Sequence, residues 1–301
     1  MMRVLISGAT GFIGRYLVPR LIEYTHEPVV WARSKSKAEK LFGAVRVIGD
    51  LSEIGNDEQI DAIINLAGAG IAEQRWSVAR KRYLVDSRLD TTWALNGLVE
   101  RLDVKPEVYI SGSAVGYYGC QDDDRLLDEE AEVEQGFTHQ LCAEWEQVAL
   151  LNRAKGVRVC LIRSGVVLGE GGALAKMLPP FRLGLGGPVA SGKQWLSWIH
   201  IDDEVEIICM MLTHTHFSGA YNLTSPNAAT NADFSQALAG VLSRPAWFRV
   251  PAGVIRLMLG EGSELLVRGQ RVYPQRLLDA GYKFAFDDLR TALKQILEPD
   301  D

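Results

Sequence analysis

Residues 8–14 read Gly8-Ala9-Thr10-Gly11-Phe12-Ile13-Gly14, three glycines at the spacing G-x-x-G-x-x-G. Between a strand and a helix this spacing suits a diphosphate. The first glycine allows the tight turn, the second lets backbone approach the pyrophosphate, and the third lets the helix pack closely on the strand. Free N–H groups and the positive dipole end of the helix then favour the anion. Gly8, Thr10, Gly11, Phe12, Ile13 and Gly14 are the candidate holders of a dinucleotide. The residues after the second strand discriminate between ribose types. Val30-Trp31-Ala32-Arg33-Ser34, followed by Lys35 and Lys37, lacks the carboxylate that a free 2′-hydroxyl would need. Arg33 presents a planar fork suited to a 2′-phosphate, with Ser34 beside it, so the reading is NADP(H) rather than NAD(H). Asp50 after the third strand is placed near the adenine, and Leu66-Ala67-Gly68 after the fourth on the cofactor side.

Other chemistry-bearing groups give weaker signals. Gly192-Lys193-Gln194 resembles the end of a phosphate loop, but the upstream spacing fails and Gln194 stands where Ser or Thr is required. Asp202 and Asp203 open a helix and are expected to cap its free N–H groups. Only His200 stands near them as a further ligand, so no metal is expected. The acidic runs Asp122-Asp123-Asp124 and Asp128-Glu129-Glu130 read as a solvated loop that repels highly anionic substrates. The 4 cysteines (Cys120, Cys142, Cys160, Cys209) are widely spaced, which suits buried thiols better than a disulfide frame.

These residues need a scaffold, and the first 165 positions supply the pattern of one. Strand candidates at Arg3–Ser7, Pro28–Ala32, Val45–Ile48, Asp61–Leu66, Glu107–Ser111 and Arg158–Arg163 alternate with helical stretches. The helices are expected from Phe12 to Tyr24 (kinked at Pro19), from Val78 to Leu102 and from Thr138 to Lys155. Repeated β–α alternation with apolar strands predicts an α/β fold, a Rossmann-type doubly wound parallel sheet covered on both faces. After Gly165 the rhythm weakens and glycines thicken. The expected division is a Rossmann domain over 1–165 and a smaller α/β substrate region over 166–301, with the chain crossing between them.

Composition fits this picture. The 301 residues are 47% hydrophobic and 23% charged, enough to bury a core. Lys and Arg number 32 against 38 Asp and Glu, a formal charge of −6, so no nucleic-acid surface is expected. Neither a signal peptide nor a long apolar run is visible, which predicts a cytoplasmic protein without a membrane partner.

Dispersed motifs carry a family likeness: Gly8–Gly14, Asn65–Gly70, Arg75-Trp76, Asp86-Ser87-Arg88, Ser111–Gly119, Trp145-Glu146, Trp195–Asp203, Gly260-Glu261 and the segment from Pro274 to Phe284. The chain resembles the extended short-chain dehydrogenase/reductase superfamily, the nucleoside-sugar epimerase and dehydratase group. Within it the chain looks like the atypical YfcH-like branch of epimerase family proteins, with their distinctive C-terminal region of unknown function. The resemblance implies hydride chemistry with a serine at a strand end and a Tyr-x-x-x-Lys pair on a long helix. Ser113 matches the serine. Aligned on Glu146, however, Thr138 stands in place of the tyrosine and Cys142 in place of the lysine, and neither supplies the same acidity or charge. The proton donor is left among Tyr117, Tyr118, His139 and His200, with Tyr117 preferred. The resemblance further places Arg163 in the segment lining the nicotinamide side and Lys193, Trp195 and His200 toward the substrate. It implies an NADP(H)-dependent oxidoreductase or epimerase-like enzyme acting on an unidentified small molecule. The alternative is a non-catalytic NADP(H) sensor or regulator. A monomer or homodimer is expected, pairing through 78–102 and 138–155.

Overall fold

A computed structural model describes residues 1–121 and 123–298. Strands β1 (Arg3–Ser7), β2 (Glu27–Trp31), β3 (Arg46–Ile48), β4 (Ala62–Asn65), β5 (Val108–Ala114) and β6 (Arg158–Ser164) lie close to the expected positions. Short strands follow at β7 (Val166–Leu168), β8 (Trp195–Leu196) and β9 (Trp198–His200), then β10 (Gly219–Leu223) and β11 (Ala229–Thr230). Helices α1 (Phe12–Glu23), α2 (Lys35–Phe42), α3 (Val78–Arg101) and α4 (Phe137–Leu150) connect the first six strands. The second half adds α5 (Gly172–Arg182), α6 (Ile201–Thr213), α7 (Asn231–Val241) and α8 (Ala252–Leu259). It ends in α9 (Glu264–Val267), α10 (Gln275–Asp279) and α11 (Leu289–Leu297).

Seven strands form one parallel sheet in the order β10-β6-β5-β4-β1-β2-β3. The order reverses between β1 and β4, so a crevice opens at their carboxyl ends, where a doubly wound sheet takes its ligand. Both faces are covered. Leu17, Val18 and Leu21 of α1 and Val205, Ile207 and Ile208 of α6 pack on one face with Val4, Ile6 and Ile110. Leu95, Leu98 and Val99 of α3 pack on the other with Leu5, Ile63 and Tyr109. Burial on both sides explains why β1 and β4 read as continuous apolar runs. α1 runs through Pro19 to Glu23, so the proline removes a backbone donor without ending the helix.

The second half is not a separate layer. Its α6 covers the sheet and its β10 forms the sheet edge beside β6. The remainder packs its own core from α5, β9, α7 and α11, including Leu174, Trp198, Phe234 and Leu293. One carboxylate ties this region down. Asp203 Oδ1 accepts from Tyr282 Oη at 2.8 Å and from Ala285 N at 2.8 Å, while Oδ2 accepts from Phe286 N at 3.0 Å. The expected capping role of Asp203 is thereby corrected, because its oxygens serve the C-terminal segment. The α6 cap is His200, whose side chain accepts from Asp202 N.

No helix among the described residues is long and apolar enough to cross a membrane.

Candidate functional site

The glycine loop joins β1 to α1 as the spacing requires. Gly8 sits at φ +73°, and a Cβ there would lie 2.5 Å from the carbonyl carbon of Leu66. Gly14 sits against Ala9, where a Cβ would come within 2.4 Å of the Ala9 carbonyl oxygen. Both contacts are with backbone, which cannot swing aside. Gly11 precedes α1 with no side-chain cap, so the first N–H groups of the helix face the crevice unpaired by any side chain. This bare cradle fits a diphosphate. Phe12 leaves the loop in the other direction and rests on Gly169, Gly171 and Gly172, linking the cofactor turn to the second half.

Around the cradle the remaining sequence candidates fall as follows. Arg33 is exposed and has no carboxylate within ion-pair distance among the described residues. Ser34 caps α2 by accepting from Lys37 N at 3.4 Å. Asp50 is exposed and caps the short turn Leu51–Glu53, and Ser52 holds its carboxyl below the usual range. Leu66, Ala67 and Gly68 follow β4 directly and face Gly8 across the switch point. Asn65 anchors them. Its Oδ1 accepts from Ser7 Oγ at 2.6 Å and from Ala67 N at 3.3 Å.

The second group lies at the carboxyl ends of β5 and β6. Ser113 is 8% exposed and donates to Glu146 Oε1 at 2.7 Å. Glu146 in turn accepts from Arg163, Nε to Oε1 at 2.9 Å and Nη2 to Oε2 at 2.9 Å. The two charges are almost entirely enclosed, with side chains 5% and 6% exposed. Arg163 also donates to Tyr118 Oη at 3.0 Å and to the Glu129 carbonyl at 3.2 Å. Four side-chain donor contacts of Arg163 are thus spent inside the protein. Its remaining face lies 3.4 Å from the centre of the Tyr117 ring.

Tyr117 and Tyr118 are neighbours with opposite surroundings. Tyr118 is fully buried, donates to Asn222 Oδ1 at 2.7 Å, and burial pushes its phenol up to about 12. Tyr117 is half-buried, and its hydroxyl has no hydrogen-bond partner among the described residues. His139 packs edge-on to that ring, with Nδ1 2.6 Å from the Tyr117 carbonyl oxygen. Thr138 and Cys142 occupy successive turns of α4 beneath Gly116. Burial pushes the Cys142 thiol up to about 12, so it carries no charge near neutrality. Thr138 is buried with its hydroxyl unpartnered.

No hydrogen bond or ion pair joins the three candidates in the second half to Ser113 among the described residues. His200 is 1% exposed, stacks on Phe286 and has Nε2 2.9 Å from Gln295 Oε1. Both its ring nitrogens are engaged and burial lowers its pKa, so the substrate role expected for it is corrected to a helix cap and packing residue. Trp195 donates from Nε1 to Asp124 Oδ1 at 2.8 Å and lies under Arg271. Lys193 is exposed on the turn before it. The acidic loop also differs from expectation. Glu129 is buried and accepts from Asn222 N and Arg276 N, while Asp123 and Asp124 are exposed and Asp122 lies outside the described residues.

Residues 4–224 match the NAD dependent epimerase/dehydratase family, and residues 250–296 match a domain of unknown function, DUF1731. The chain belongs to the NAD dependent epimerase/dehydratase family. Among relatives, the epimerase family protein SDR39U1 homolog, chloroplastic, of Arabidopsis thaliana is 42% identical, over 99% of this chain and 87% of its own. The epimerase family protein YfhF of Bacillus subtilis is 34% identical, over 98% of both chains. The crystal structure of human epimerase family protein SDR39U1 (isoform 2) with NADPH superposes with TM-score 0.90 at 35% identity. It covers 99% of this chain and 100% of the human one. The branch expected from the dispersed motifs is thus the one found, with its separate C-terminal region.

Glu146 and Arg88 were not among the site residues expected from sequence. Glu146 served only to align the helix, and Arg88 only as part of a motif. A carboxylate one turn beyond Cys142 and an arginine closing β6 were the available signals for the Glu146–Arg163 pair.

Proposed function

We propose that this epimerase-family chain is an NADP(H)-dependent oxidoreductase or epimerase-like enzyme acting on a small molecule still to be identified. The observation that carries the cofactor reading is the bare glycine cradle with an Arg33 that has no ion-pair partner among the described residues, in a fold shared with a relative crystallised with NADPH. The loop from Gly8 to Gly14 holds the diphosphate, Arg33 with Ser34 takes the 2′-phosphate, and Leu66–Gly68 borders the nicotinamide half. Bound NADPH supplies a hydride.

The chain's own residues then manage one oxygen and one proton. Ser113 donates its hydroxyl hydrogen bond to Glu146, which Arg163 keeps in place, so a substrate hydroxyl meets the lone pairs of Ser113. To polarise a carbonyl instead, Ser113 must turn away from a charge-assisted hydrogen bond, at about 1.5–3 kcal/mol. Tyr117, with its ring against Arg163 and its hydroxyl without a hydrogen-bond partner among the described residues, is the preferred proton donor. Tyr118 is tied to Asn222 and serves as support. A small-molecule substrate is the reading for partners, with neither nucleic acid nor membrane, in a cytoplasmic monomer or homodimer.

The second reading is a cofactor-binding sensor without turnover. It is favoured by one feature: the thiol of Cys142 and the hydroxyl of Thr138 supply neither the charge nor the acidity of a Tyr–Lys pair. Fluorescence titration with NADPH and NADH, followed by a carbonyl panel read by NADPH oxidation, separates the two. Arg33→Ala is expected to weaken NADPH at least about tenfold, the scale of one charged phosphate contact, and to leave NADH unchanged. Equal affinity of wild type for both cofactors overturns the role of Arg33. Tight NADPH binding with no turnover and no effect of Tyr117→Phe supports the sensor.

A further inference from the structure

Cys142 leaves the catalytic helix without a cation, yet a cation stands next to it on another helix. Arg88 rises from α3 with its guanidinium under Gly68, where a Cβ would lie 3.1 Å from its Cζ. The same guanidinium lies 5.2 Å from the ring centre of Trp145, on the helix that carries Cys142. Two donors are used: Nη1 to the Leu84 carbonyl at 2.9 Å and Nη2 to the Ala69 carbonyl at 3.1 Å. A guanidinium has five N–H donors. No carboxylate lies within ion-pair distance of Arg88 among the described residues, and burial disfavours its charge.

Arg88 is half-buried, and a cation partly removed from water without a counter-charge costs free energy unless a ligand supplies one. Two neighbours on α4 lack partners as well. Thr138 Oγ1 and Trp145 Nε1 are buried polar atoms with no hydrogen bond, on residues 3% and 6% exposed. All three groups can donate, so a ligand that met them would be an acceptor. The nearby Glu146 charge is already matched by Arg163 and the neighbouring Arg80 by Glu73, which leaves Arg88 as the unmatched charge among them.

We propose that Arg88, with Trp145 and Thr138, forms a carboxylate-binding subsite beside Ser113, so that the substrate is a small hydroxy or oxo monocarboxylate. A planar two-oxygen anion matches the fork of arginine, and a single excess charge suits a monoanion better than a phosphate dianion. The inference rests on the reading of Ser113 as the reacting centre, and it puts the charge that Cys142 lacks on α3. Arg88 binds and orients the substrate; it transfers no proton.

The test uses sodium oxamate, an inert carboxylate, titrated into the NADPH-loaded and the free protein at constant ionic strength with chloride as control. Tryptophan fluorescence reports binding, because Trp145 lies against Arg88. Saturable oxamate binding is expected in the wild type. Arg88→Gln should weaken it at least about tenfold, Arg88→Lys less, with NADPH affinity within about threefold of wild type in both. Melting temperature is the second readout. With an unmatched charge removed, Arg88→Gln should melt no lower than wild type without ligand, and oxamate should raise the melting temperature of the wild type only. Two results overturn the subsite: no saturable oxamate response beyond chloride, or an equal response in Arg88→Gln. A fall of several degrees in that variant with oxamate binding unchanged makes Arg88 a structural tie to Ala69. Failure of NADPH to bind the wild type would instead sink the cofactor reading, and oxamate binding to the free protein would still decide the subsite.

Discussion

Replacing Arg163 by methionine removes one partner from an enclosed ion pair and leaves Glu146 charged and desolvated, with the Ser113 hydroxyl still donating to it. The structure sets the size of the effect. Two charge-assisted hydrogen bonds of 2.9 Å are lost, together with donors to Tyr118 and to the Glu129 carbonyl. Breaking a buried pair from one side costs about 3–5 kcal/mol, because the surviving charge stays desolvated. At roughly 2–4 °C per kcal/mol for a large domain, the melting temperature should fall by about 6–20 °C. The double variant Arg163→Met with Glu146→Leu removes both charges. It should cost only about 1–3 kcal/mol, mainly the stranded donor of Ser113 and the acceptors at Tyr118 and Glu129. Urea unfolding of the wild type, both single variants and the double variant gives the coupling directly. Single losses below about 1 kcal/mol, or a double loss equal to the sum of the singles, would refute the view that this pair is a coupled buried unit.

Two further outcomes follow from contacts elsewhere. Gly14→Ala drives a methyl group into the Ala9 carbonyl, so stability should drop by about 1–3 kcal/mol and NADPH affinity should fall, read by denaturation and fluorescence titration. Glu204 is fully buried, and burial raises its carboxyl from an ordinary 4.5 to about 8, while Ser164 Oγ donates to its Oε1 at 2.5 Å. Its folded value lies above its unfolded one, so the folded state binds the extra proton. Stability from this group is complete below about pH 4.5 and declines as pH rises toward 8. Glu204→Gln should therefore flatten the melting profile between these values and melt above wild type at pH 8. Parallel profiles would count against a buried neutral acid.

Much of the cofactor half was legible in the sequence by itself. Local signals suffice where each residue answers to its own backbone: glycines at Gly8 and Gly14 that only a bare turn tolerates, and apolar runs at Val4–Ile6 and Ala62–Ile64 that only a sheet covered on both faces buries. The dispersed motifs fixed the family for the same reason, since each keeps its local shape. Partners far apart in the chain were decided only by tertiary structure. Nothing adjacent to Arg163 says that its fork closes on Glu146, 17 residues away, rather than on a ligand. His200 looked like a site residue until Phe286 and Gln295, brought in by the last helix, enclosed it. Asp203 looked like a cap until three groups of the C-terminal segment claimed its oxygens. Tyr117 and Tyr118 are indistinguishable as residues; the fold buries one hydroxyl against Asn222 and leaves the other without a partner. Sequence named the residue types able to bind and move charge, and packing chose which of those charges were already neutralised.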